Sequence, residues 1–147
     1  MRVVYKYGLG GYRGRMDGVV YCYDRYLGRS YVRRAVYPKI TEKNKAFGNA
    51  NANLFKLNPS QGYRDDLYYY IARYRNLKEA NWSMRSWSSF YLKLMYCMAK
   101  ADGSINLGTL TREEIYSRNL PCISVKHAVE AGLFPVVYGY QEFTHEL

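Results

Sequence analysis

The sequence predicts an α+β fold: an N-terminal Gly/Tyr-rich β-ribbon or hairpin over residues 1–40, then a compact bundle of about five helices over 41–147. Three observations carry this. Runs of β-branched and aromatic residues, punctuated by glycine, fill the first forty positions, as half-buried strands require. From Thr41 onward apolar residues recur at helical spacing. The composition breaks near Pro38, where ribbon gives way to helix.

Val3, Val4, Tyr5 and Tyr7 open a short strand that Gly8-Leu9-Gly10-Gly11 breaks. Val19–Tyr23 and Tyr31–Tyr37 form two further runs, with Leu27-Gly28-Arg29-Ser30 as the hairpin connection and Pro38 as the stop. Thr41 caps a first helix in which Phe47, Ala50, Leu54 and Leu57 make one narrow stripe and Asn58-Pro59-Ser60 ends the run. A second helix, about 63–76, buries Leu67, Tyr70, Ile71 and Tyr74. A third starts at Asn81, with Trp87, Phe90, Leu94 and Met98 as the deepest apolar face, and Ala101-Asp102-Gly103 turns it off. Thr111-Arg112-Glu113-Glu114 reads as a capping box. Ser124 caps a last helix carrying Val125, Ala128 and Val129, which stops at Gly132 with Pro135 beyond. A short extended tail from Val136 to Tyr140 closes this account.

The 147 residues suffice for a core that folds without covalent staples. Cys22, Cys97 and Cys122 lie far apart and are odd in number, so a disulfide framework is not expected and a reducing compartment is. Met1-Arg2 leads into a β-like run without an apolar segment behind it, so no signal peptide is expected. No stretch approaches 18 uninterrupted apolar residues, so no membrane span is expected, and synthesis in a cytosol follows.

Charge is distributed unevenly along the chain. Residues 1–60 hold twelve Lys/Arg against three Asp/Glu, and residues 101–147 hold three against six. Such a gradient directs one end of a molecule at something negative and leaves the other for a different neighbour. Arg25, Arg29, Arg33, Arg34 and Lys39 interleave with Tyr21, Tyr23, Tyr31 and Tyr37 in the ribbon. Arginines of this kind bind carboxylates bidentately in an acidic protein groove, and the same residues neutralise phosphates while the rings stack on bases. A protein groove is the favoured partner, since a ribbon broken by glycines does not fold a groove of its own. These nine residues are the candidate partner-binding set.

Enzymatic chemistry finds no foothold. Gly8, Gly10 and Gly11 fail the dinucleotide pattern because Arg13 stands where its third glycine belongs, and no phosphate-loop lysine follows. Cys122 and His127 are five apart but lack a third metal ligand or an orienting carboxylate. Asp65, Asp66 and Glu79 read as sparse acids on exposed helix faces. No catalytic residue, metal or cofactor is expected.

From Gly8 to Phe55 the order of Gly11, Gly14, Gly18, Arg33, Pro38, Lys39, Thr41 and Phe47 resembles small phage and prophage proteins. In these a Gly-punctuated ribbon leads to a strand ending in Arg, and a polar helix follows. Tyr96-Cys97-Met98, Glu114-Ile115-Tyr116, Leu120-Pro121 and Ala131-Gly132-Leu133-Phe134-Pro135 resemble tail-end patterns in proteins of phages of gut bacteria. The resemblance implies a virion structural protein of capsid, neck or tail, made in the host cytoplasm and present in several copies beside other particle subunits. The same C-terminal block resembles a MerR-type DNA-binding helix pair. Charge speaks against that reading, because Ser124–Ala131 offers one Lys126 against Glu130. A nucleic-acid-binding protein, using the ribbon or this helix-turn-helix, is the alternative.

Overall fold

The computed structural model describes residues 2–4, 13–77 and 86–147, in two units, Met1–Ile40 and Thr41–Leu147. Tyr5, Tyr7, the Gly8–Gly11 break, Glu79 and Asn81 lie outside the described residues. The fold is α+β, with a four-stranded antiparallel sheet and, among the described residues, five α-helices.

Two tight turns shape the N-terminal unit. Strands β1 (Arg2–Val4), β2 (Gly14–Met16), β3 (Val19–Asp24) and β4 (Arg29–Arg34) lie in the order β1-β4-β3-β2. Asp17 and Gly18 join β2 to β3 with both φ angles positive, 49° and 73°. That is the two-residue hairpin turn whose twist matches the strands, and Asp-Gly is among its preferred pairs. The β3–β4 turn runs over Arg25–Gly28, where the Asp24 carboxylate accepts the backbone N–H groups of Tyr26 and Leu27 at 3.0 and 3.2 Å. Strand β4 therefore starts two residues before the expected run and ends at Arg34, well short of Pro38. Its partner runs out first. Beyond Val19 the chain turns at Gly18, and the last ladder bond is from Ala35 N–H to the Gly18 carbonyl, 2.8 Å.

In the helical unit each α-helix begins on a Ser or Thr. α1 (Glu42–Lys56), α2 (Gln61–Tyr74), α3 (Trp87–Ala101), α4 (Arg112–Ser117) and α5 (Val125–Glu130) are capped by Thr41, Ser60, Ser86, Thr111 and Ser124. Each hydroxyl accepts a backbone N–H three residues on, worth about 1 kcal/mol apiece. The Thr111 box is half formed, because Glu114 reaches forward to Arg118 at 3.0 Å. α1 rests on a narrow seam with Leu54 as its one buried residue; Phe47 is 56% exposed and stacks on Tyr96.

The core lies between α2, α3 and α5. Leu67, Tyr70, Ile71 and Tyr74 are buried as expected, with Tyr63 added, and they meet Phe90, Tyr91, Leu94, Met95 and Met98 of α3. Trp87 departs from the expectation. It is only half-buried, at the rim beside Phe55 and under the Arg64 guanidinium, because it sits in the first turn of α3.

Tyrosine hydroxyls solve a problem that this core creates. Helix ends and loops carry backbone carbonyls that no helix satisfies, and leaving one buried is costly. Tyr91 donates to the Leu54 carbonyl in the last turn of α1 at 2.9 Å. Tyr63 donates to Cys122 O and Tyr70 to Pro135 O, at 3.0 and 2.8 Å. The ring fills apolar space while its tip supplies the missing donor.

The tail is not extended. Gly139 (φ 68°) turns the chain into a 3-10 segment, Tyr140–Glu142, and Phe143 and Leu147 are buried. Asp66, expected on an exposed face, is buried where this tail docks. It accepts the His145 backbone N–H at 3.0 Å and the ring Nδ1 at 2.9 Å. A side chain at position 62 would run into that ring, since a Cβ there lies 2.5 Å from His145 Cδ2. Arg73 holds the turn through the Tyr138 and Gly139 carbonyls and Glu142.

Candidate docking surface

Antiparallel register sorts the sheet's side chains onto two faces, because residues paired across strands share a face and neighbours along a strand alternate. Arg15, Val20 and Arg33 form one row, Cys22 and Tyr31 the next, Asp24 and Arg29 a third. The opposite face carries Met16, Val19 and Arg34, then Gly14, Tyr21 and Val32, then Tyr23 and Ser30. The candidate set is thus divided. Tyr31 goes with Arg29 and Arg33, whereas Tyr21 and Tyr23 go with Arg34. Arg25 sits in the β3–β4 turn, and Tyr37 and Lys39 follow β4.

The basic side chains of this set are exposed. Arg25, Arg29, Arg33, Arg34 and Lys39 have no ion pair or side-chain hydrogen bond among the described residues. Val32, at 8% exposure, is the one buried residue among those described in the unit. Residues 1–40 carry nine Lys/Arg against two Asp. Among its described residues this unit, whose Cys22 is free, shows little core to hold it together.

Arg15 was not in the candidate set, although among the described residues it is the arginine of the sheet with a side-chain hydrogen bond and a ring contact. Its guanidinium hydrogen-bonds the Tyr37 hydroxyl and lies 5.0 Å from the centre of that ring. Asp17-Gly18 was the available signal: reading it as a two-residue turn places Arg15 opposite Val20. Arg15, Val20, Arg33, Arg34, Ala35, Val36 and Tyr37 line a cleft of about 150 Å³.

Four of the six acids in the C-terminal third are held by basic partners within it or on α2. Asp102 and Glu114 both bind Arg118, Glu130 faces Lys126 and Glu142 binds Arg73. Hydrogen bonds from Ser104 first, and the Arg118 charge after them, hold the Asp102 carboxyl below its ordinary range. α5 also makes a poor recognition helix. It has six residues, Val125, Ala128 and Val129 are buried, and Lys126 faces Glu130 at 4.0 Å.

A larger cleft in the helical unit, about 550 Å³, is lined by Ala46, Phe47, Asn49, Ala50, Tyr96 and the Asn106–Thr109 loop. These side chains supply apolar and amide contacts and no carboxylate or imidazole. His127 Nδ1 lies 3.2 Å from the Ser124 hydroxyl, and among the described residues no three His, Cys, Asp or Glu side chains gather to hold a metal. Burial pushes the Cys122 thiol up to about 12, which leaves it un-ionised and inert. Cys122 is expected to stay unmodified by iodoacetamide at pH 8 in the native protein and to react once the chain is unfolded. Labelling of Cys122 in the native protein, located by peptide mapping apart from the half-buried Cys22 and Cys97, at a rate matching the unfolded chain would refute this.

Among the described residues no helix is long and apolar enough to cross a membrane. The chain matches no protein-family model, no curated protein and no solved structure.

Proposed function

We propose that this chain is a non-enzymatic structural subunit of a phage particle, a capsid-associated, neck or tail component present in several copies. The helical unit forms its body, and the N-terminal sheet docks on an acidic surface of a neighbouring subunit. One observation carries the docking role: an N-terminal unit with one buried residue among those described, and with five basic side chains lacking partners there. Such a unit gains stability and charge balance together when an acidic surface covers it. The phage setting rests on the order of sequence features from Gly8 to Phe55 and from Tyr96 to Pro135.

Replacing Arg29, Arg33 and Arg34 together by alanine is expected to lower incorporation into particles by roughly tenfold or more. The helical far-UV signal should be unchanged. Normal incorporation of the triple variant would sink the docking role. Binding to DNA or RNA with a salt slope equal to several released counterions would instead favour the nucleic-acid alternative.

A further inference from the structure

We infer that the sheet docks through the face that carries Arg15 and Arg33, and that the cleft between them receives the carboxylate of an acidic side chain on a protein partner. This rests on the docking role proposed above and adds which face is used and what it recognises.

The register gives the first support. Arg15 and Arg33 flank Val20 from the two neighbouring strands, so their backbones stand about 10 Å apart with one half-buried valine between. Two long side chains of that separation converge on a single anion. Tyr37 holds the Arg15 guanidinium by a hydrogen bond and by its ring, so this fork is oriented before any partner arrives. Arg33 is exposed and has no partner among the described residues. Val20 and Ala35, both half-buried, and the exposed Val36 are the apolar residues lining the cleft. A carboxylate at this position meets two charge-assisted guanidinium forks at once.

Arg34 is the neighbouring residue in sequence but serves differently. It lies on the face that holds Val32, the buried residue, together with Val19 and Met16. Arg34 also borders the cleft, although its register position places it on the opposite face of the sheet.

Size favours a carboxylate over a nucleic-acid phosphate. A volume of about 150 Å³ equals roughly five water molecules. That admits the end of a Glu or Asp side chain, whereas a phosphodiester brings a sugar on either side. Planar guanidinium forks match carboxylate and phosphate geometry alike, whereas a lysine in their place offers only a point charge, so it is the room in the cleft that favours the carboxylate.

The test uses the full chain and two fluorescent probes, a glutamate-rich peptide and a single-stranded oligonucleotide, with binding followed by anisotropy. Arg15→Ala and Arg33→Ala are each expected to weaken peptide binding tenfold or more, Arg33→Lys at least fivefold, and Met16→Ala, on the opposite face and outside the cleft, less than threefold. Met16→Ala also controls for the folding of the sheet. Equal losses at Arg15, Arg33 and Met16, or full retention by Arg33→Lys, would overturn the carboxylate site while leaving docking by a basic sheet intact. Tighter, Arg33-dependent binding of the oligonucleotide would assign the cleft to phosphate. Normal particle incorporation of the triple variant described above, by contrast, removes the docking role itself.

Discussion

Phe90→Ala is expected to lower the unfolding free energy by about 3–5 kcal/mol, read from urea denaturation of the helical far-UV signal. Phe90 is fully buried, with ring centres of Tyr74, Phe134 and Tyr70 at 5.2, 5.7 and 5.9 Å. These rings come from α2 and from the segment after α5, and Tyr70 is tethered by its hydroxyl to Pro135 O. No single element can move to fill the space that alanine leaves, so the loss combines transfer and cavity terms. Trp87→Ala, at the half-buried start of the same helix, should cost less than half as much. A loss below about 1 kcal/mol for Phe90→Ala would place the core elsewhere.

Raising the pH from 9 to 11 is expected to destabilise the protein by roughly 6–7 kcal/mol. Burial raises the pKa of Tyr63, Tyr70 and Tyr91 above the usual phenol range, and it pushes the Cys122 thiol up to about 12. All four side chains are fully buried, so the native state keeps their protons at a pH where the unfolded chain has released its own. The unfolded state then binds fewer protons, and stability falls as pH rises. Each group contributes about 1.4 kcal/mol per pH unit above its ordinary value, from about pH 9 for the thiol and about 10 for the phenols. The full contribution is present below pH 9. Urea midpoints at pH 9, 10 and 11 measure the loss, and a phase of tyrosinate absorbance should coincide with loss of helical signal. A midpoint unchanged to pH 11 would contradict the assignment.

Features that depend on local chemistry were readable in the sequence. Thr41, Thr111 and Ser124 cap helices because a hydroxyl needs only the N–H three residues on, and the stripe Leu67, Tyr70, Ile71, Tyr74 needs only helical spacing. Features that depend on a distant partner were not. The burial of Asp66 requires His145, 79 residues away, and the folding of the tail requires Arg73 on α2. Trp87 has the right spacing for the core but lies one turn too early to be covered. In the sheet, the arginines were visible and their faces were not. Side chains alternate with a period of two, so an overlooked turn at Asp17-Gly18 hid both β2 and the place of Arg15.

The small share of buried residues among those described in the sheet has a consequence for how copies of this protein are counted in the cell. If the sheet opens often when alone, the open form is what proteases cut. Docking at a partner concentration a hundredfold above Kd would add about 2.7 kcal/mol and reduce that open fraction about a hundredfold. Copies that find a place in an assembly would then keep their N-terminal forty residues, while surplus copies are trimmed back to a helical unit that has lost the means to join. Subunit number would be set by the number of acidic sites available, with degradation removing the remainder and no separate regulator required.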